Sequence, residues 1–276
     1  NITNIVRQAS IMIIVACGAT FIMIAGDVDI SCGGLACLAA IIAAICMKKG
    51  MGIPVAITVA VLSGTLFGLL SGILVSRFAF PPMIATLCVT NLTTGIGNLI
   101  TNGTAIYDLP DEFLVLGRGY IGPIPVQVVI ITVISGIVLS STTYGRYIYA
   151  IGGNTTVAKL SGVNVSKLKV IYYMVGGSLS ALAGVLITSR MGTAQPTLGT
   201  NWPMETIAGI VIGGTHFQGG SGTIVNSVLG VLLMTMITNG LNLLGVNTFW
   251  QSVVTALLLI ITIVISTFQD RKKGLL

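Results

Sequence analysis

Charged residues make up only 7% of this 276-residue sequence, 13 Lys and Arg against 7 Asp and Glu. Water-soluble domains carry about 25% because their surface must stay wetted, so a water-soluble enzyme is excluded. A hydrophobic content of 54% excludes a disordered chain. Histidine occurs once, at His216. The five cysteines, Cys17, Cys32, Cys37, Cys46 and Cys88, fall inside or at the edge of apolar stretches without CxxC spacing. Neither a structural metal site nor a disulfide framework is expected from them. No GxxxxGK[ST] run or other nucleotide signature occurs. If ATP and Mg drive this protein, they bind to another polypeptide, and no cofactor is expected in this one. The sequence opens on Asn1 rather than Met, and a further N-terminal helix is expected ahead of it.

What the sequence does have is apolar length. Mean hydropathy is +1.01, and a helix needs about 20 apolar residues to cross the hydrocarbon. Runs at 11–26, 32–47, 53–76, 83–100, 126–141, 170–189, 224–246 and 252–268 meet or approach that length. A ninth, 206–214, is short and Gly-rich, either a thin crossing or a re-entrant piece, which is tolerable only where protein or a water cavity surrounds it. The expected fold is all-α: one polytopic membrane bundle over 1–276 with about nine crossings, ten in a full-length chain, and broken or re-entrant helices. The 35 glycines suit close helix approach. Gly64, Gly68 and Gly72 recur every four residues on one face, and Gly177 with Ala181 and Ser180 with Gly184 do the same.

Basic residues set the orientation. The loop 142–169 holds Arg146, Lys159, Lys167 and Lys169 without an acid, and the C-terminal tail has Arg271, Lys272 and Lys273 against Asp270. Both are assigned to the cytoplasm. The loop 101–125, with Asp108, Asp111 and Glu112 against Arg118, goes outside. Lys48 and Lys49 misfit this scheme, because the count of crossings places them outside as well.

Few residues are candidates for chemistry. Asp27 and Asp29 sit between the first two apolar runs, flanked by Gly26, Gly33 and Gly34. Ionisable groups near the membrane core face a cavity or a partner, so they either line the solute path or cap the next helix through its free N–H groups. Asn91, Thr94 and Asn98 share one helix face, and Thr235, Asn239 and Asn242 share another. Amides suit sugar hydroxyls because they both donate and accept, but each stripe also serves helix–helix hydrogen bonding. In the outer segment 188–206, Arg190, Trp202 and Glu205 are candidates for docking a soluble partner. Within the basic loop, Asn154, Thr155, Thr156, Val157, Ala158, Lys159, Leu160, Ser161 and Gly162 read as a short amphipathic helix, capped at its start and ended by the glycine.

The strings TNGTAI (101–106), GRYIYAIGGN (145–154), LSGVNVSKLK (160–169), AQPTLGT (194–200) and NGLNLLGV (239–246) closely resemble the permease subunit of ribose-type sugar ABC importers. GDVDIS (26–31) and IGGTHFQGGSGT (212–223) are similar to further segments of that family, in chain order. Cys32-Gly33-Gly34, Pro203-Met204-Glu205 and His216-Phe217-Gln218 depart from its usual residues.

The resemblance implies an inner-membrane permease working as two transmembrane subunits with cytoplasmic ATPases and an extracytoplasmic sugar-binding protein. It also implies that 154–162 is the coupling helix seated in the ATPase groove. The expected cargo is a monosaccharide, a ribose-like pentose first, carried by alternating access, with another small solute such as a sugar-derived autoinducer as the variant within the class. The rivals from other classes are a secondary transporter or channel, for which Asp27 and Asp29 are the only candidate ion-coupling carboxylates, and a membrane scaffold without cargo.

Overall fold

The computed structural model describes residues 2–118 and 126–272. Residues 119–125 of the acidic loop and Lys273 of the tail lie outside the described residues, as do the side chains of Arg118, Asp270, Arg271 and Lys272. Among the described residues twelve helices follow one another: α1 (Ile2–Ile24), α2 (Cys32–Lys48), α3 (Ile53–Ser76), α4 (Pro82–Thr101), α5 (Asp111–Arg118), α6 (Val126–Ser141), α7 (Thr143–Gly153), α8 (Thr155–Leu160), α9 (Val165–Met191), α10 (Trp202–Ile212), α11 (Ile224–Leu243) and α12 (Thr248–Lys272). Among the described residues there is no strand, only an isolated bridge between Ile106 and Ala194. Among the described residues five helices, α1, α3, α4, α9 and α11, are long and apolar enough to span a membrane, and α2, α10 and the apolar part of α12 are shorter. The all-α polytopic bundle read from the sequence is what the structure contains.

α1 and α9 form the centre. The apolar window of α1 is 72% buried, that of α3 only 22%, so α3 turns most of its surface to lipid. Small residues let the backbones meet. A Cβ on Gly18 would come within 2.9 Å of the Gly176 Cα, and the successive turns Gly64, Gly68 and Gly72 press α3 onto Gly177, Tyr173 and Val170 of α9. Gly184 lies against the backbone of Ala36 on α2. The small-residue seams are thus real helix contacts, driven by packing and not by water exclusion.

Two breaks shape the interior. After α1 the chain runs non-helical from 25 to 31 before α2 begins; after α9 it does so again before α10. α10 has 11 residues, about 16 Å at 1.5 Å per residue, roughly half the hydrocarbon thickness of about 30 Å. It is therefore a half-helix and not a thin crossing. It starts at Trp202, earlier than the apolar run suggests, because Pro203 stands in its first turn, where a missing N–H costs nothing. The residues ahead of it turn back into the bundle. The Cys37 thiol donates to the Pro196 carbonyl at 3.2 Å, and Gly199 lies against Gly33.

From that meeting point the two short helices run in opposite directions. α2 ends at Lys48, which pairs with Asp108 at 3.8 Å, while α10 ends where Gly213 lies against Asn226. The helix after each short helix packs on the long helix of the other half: α3 on α9, and α11 on α1. This reciprocal exchange is the contact pattern of an inverted repeat.

Two ends can be told apart. At one, which carries α8, Gly220 N–H donates to Ile24 O at 2.8 Å and the Tyr149 hydroxyl to Gly222 O at 2.7 Å. At the far end, Arg190 Nη1 donates to Arg7 O at 2.9 Å and Gly117 N–H to Ser189 Oγ at 2.7 Å. Lys48 belongs to the far end with the acidic loop, so the misfitting basic residue has an acidic neighbour there. Two helices lie where the sequence reading expected loop. α5 starts after Pro110 with Asp111 and Glu112 in its first turn, where acids suit the helix dipole, and buries Phe113 completely. α7 continues α6 through a 69° bend. Thr142 caps it by accepting from Gly145 N–H, and Gly145 lies directly on the Leu139 backbone, where a side chain has no room.

Candidate functional site

α8 has six residues held by local chemistry. Asn154 Oδ1 accepts from the Thr156 and Val157 N–H groups, both at 3.0 Å, satisfying donors that a helix start leaves free. Thr155 donates to Ile151 O at 3.0 Å, tying α8 back to α7. Gly162, at φ +84°, ends the helix in the left-handed conformation glycine adopts without strain. Ala158 is the buried anchor at 3% exposure, whereas Val157 (56%) and Leu160 (83%) face outward. Thr156, Lys159 and Ser161 are also exposed. The outcome is a capped element with an apolar tip that none of the described residues covers.

Asp27 and Asp29 are both buried in the first break. Asp27 receives Lys169 Nζ at 2.7 Å, which joins the break to the first turns of α9, a few residues past α8. Asp29 Oδ1 accepts from Ser31 N–H at 2.7 Å, next to the start of α2. Ile30 on the same break is held to α4, its N–H donating to Thr86 Oγ1 at 3.2 Å and its O accepting from Thr90 at 3.1 Å.

The two polar stripes are placed differently. On α4, Asn91 and Asn98 are exposed, and the stripe folds onto its own helix: Asn98 Nδ2 donates to Thr94 O at 2.9 Å and Thr94 Oγ1 to Thr90 O at 2.8 Å. On α11, Asn239 is buried with Oδ1 unpartnered, Asn242 Oδ1 accepts from Gln251 Nε2 at 2.7 Å, and Thr235 lines a cavity.

The three outer candidates are all half-buried and have different neighbours. Arg190 ties α9 to Arg7 of α1, and Trp202 packs against the core. Glu205, on the first turn of α10, borders two open clefts, of about 320 Å³ and about 110 Å³, the larger rimmed by the exposed Met204 and Ile260. Glu205 is half-buried there, between the exposed Asn201 and Met204 on one side and the buried Thr206 on the other.

Sequence reasoning missed Lys169 as the partner of Asp27, and Gln8, Thr238 and Gln251 as neighbours of the cavities. Thr238 was findable, since it continues the Thr235 face at i+3; the others depend on contacts between distant parts of the chain. Among the described residues no group of His, Cys, Asp and Glu has the arrangement to hold a metal ion.

The chain is similar over 99% of its length to the ribose import permease proteins of Haemophilus influenzae, Bacillus subtilis and Escherichia coli K12. Identities are 38%, 41% and 36%, covering 87%, 85% and 86% of those proteins. No solved structure matches it. The model of the branched-chain amino acid transport system / permease component family matches residues 1–263. With that match laid over a membrane bundle of broken helices, the chain belongs to this permease family, and it is a multi-pass membrane transport component.

Proposed function

We propose that this chain is the transmembrane subunit of an ATP-driven importer that carries a monosaccharide, a ribose-like pentose first, across the inner membrane. The observation that carries the reading is α8: a six-residue helix, rigidly capped, with Val157 and Leu160 exposed and basic residues around it. An apolar tip on a rigid anchor is what a separate ATPase subunit can grip and push. The names of the relatives, ribose import permease proteins, supply the cargo class. In this reading the α8 end and the C-terminus are cytoplasmic and the far end meets a sugar-binding protein. A second copy of the chain completes the path. ATP and Mg belong to the ATPase.

ATP binding closes the ATPase pair, α8 moves with it, and Lys169 transmits that motion to the break at Asp27. Only differential contacts in the inward- and outward-open states shift such an equilibrium. Reconstitution of the chain with its cognate ATPase and binding protein in proteoliposomes tests the reading. D-ribose uptake that requires all three components and ATP supports it. Uptake by the chain alone on an ion gradient refutes it in favour of a secondary transporter.

A further inference from the structure

The larger cavity lies between the first turn of α10, α11 and α12, and at about 320 Å³ it falls within the roughly 300–1,000 Å³ usual for small-molecule sites. The smaller one lies on the α1 side, beside Gln8 and Met12. Glu205 and Thr238 border both. Gln8 follows Arg7, whose carbonyl holds Arg190 at the far end, so this space sits in the half of the bundle away from α8.

We propose that the cavity around Glu205 is a transit site for an uncharged, polyhydroxylated solute of monosaccharide size, with the Glu205 carboxyl taking two neighbouring hydroxyls. This deepens the sugar-permease reading above and rests on it.

Three observations carry the proposal. First, the acid is peculiar to this half-helix. Four residues past its N-cap Asn201, α10 has Glu205; four residues past the corresponding N-cap Ser31, α2 has Leu35, which is buried. Second, among the described residues no side chain pairs with the Glu205 carboxyl or hydrogen-bonds to it, so its bonding capacity is open to a solute. Third, the surrounding groups are partly committed. Thr235 and Thr238 spend their hydroxyl hydrogens on Val231 O and Met234 O, at 2.8 and 3.0 Å. Gln251 Nε2 is engaged by Asn242 and Val246. What remains is the Glu205 carboxylate as acceptor, with Asn201, Thr255 and Gln8 as side chains that donate as well as accept, a mixed set that matches hydroxyl groups, which do both.

The test compares the wild-type complex, with its cognate ATPase and binding protein in proteoliposomes, with Glu205→Leu, Glu205→Asp and Thr255→Trp. The last fills the cavity from α12. Radiolabelled D-ribose uptake and sugar-stimulated ATP hydrolysis are read together. The expected result is a roughly tenfold fall in uptake for Glu205→Leu and for Thr255→Trp, with ATP hydrolysis still stimulated and Glu205→Asp recovering much of the uptake. Wild-type uptake in either variant overturns the proposal. Loss of stimulated hydrolysis along with uptake in both variants also overturns it, since that marks a docking or folding role. If the wild-type complex moves no D-ribose, the sugar-permease reading itself fails and the transit site fails with it.

Discussion

Lys169 and Asp27 form an ion pair, 2.7 Å apart, with side chains 16% and 6% exposed. Removing one partner of such a pair leaves an uncompensated charge, at a cost of about 3 kcal/mol or more, while removing both costs far less. Lys169→Met is therefore expected to lower the thermal unfolding temperature of the detergent-purified protein clearly, and Asp27→Asn added to it to restore most of the loss. Equal unfolding temperatures in all three proteins would show that the pair contributes nothing. Neither residue's role was legible from sequence. Asp27 was visible as an acid near the core, but Lys169 counted only as one of four basic residues in a loop. Their meeting depends on how α1 and α9 pack, which no local pattern encodes. Glu205 is a parallel case: Pro203, Trp202 and Asn201 read as outer loop, and only the contact of Gly199 with Gly33 draws the segment inward.

Individual helices were read more accurately than their junctions. The runs 53–76 and 126–141 coincide with α3 and α6, and 83–100 lies within α4, because a continuous apolar stretch bounded by Pro or turn residues has one solution in lipid. α7 was missed because its sequence is mixed in polarity and its helicity depends on the cap at Thr142.

The seam of α3 with α9 makes a direct prediction. A side chain on Gly64 would meet Gly177 O at 2.6 Å, whereas one on Gly136 of α6 meets nothing within 4 Å. Gly64→Leu should reduce the yield of monodisperse protein in detergent severalfold, and Gly136→Leu should leave it unchanged. Matching yields would dismiss the seam as a packing determinant. For α8, Ala158→Asp places a charge at a position only 3% exposed and should unseat the helix from α7 and α9. The expected outcome is loss of sugar-stimulated ATP hydrolysis in the assembled complex with membrane insertion intact. Undiminished stimulation would remove α8 from the coupling route.

At the scale of the whole molecule, the two halves exchange helices, and no half completes its own interior. α11 sits on α1 through Thr20 Oγ1 donating to Ser227 Oγ at 2.9 Å, and α3 sits on α9 through Thr65 and Ser178, whose hydroxyls lie 2.7 Å apart. Separately expressed halves, cut in the stretch 119–125, should therefore co-purify when made together. Either half alone should be lost to aggregation or proteolysis, as size-exclusion chromatography and membrane immunoblots would report. A stable solitary half would deny the exchange.

The facing glycines at 33 and 199 also join two stretches that are translated far apart. When α2 leaves the ribosome, the backbone that will pack on Gly33 is more than 150 residues from being translated. Until then the start of α2 lacks that neighbour, in a setting where unpaired backbone polar groups are costly. Biogenesis thus passes through a long interval of incomplete burial that closes only when the stretch before α10 is delivered.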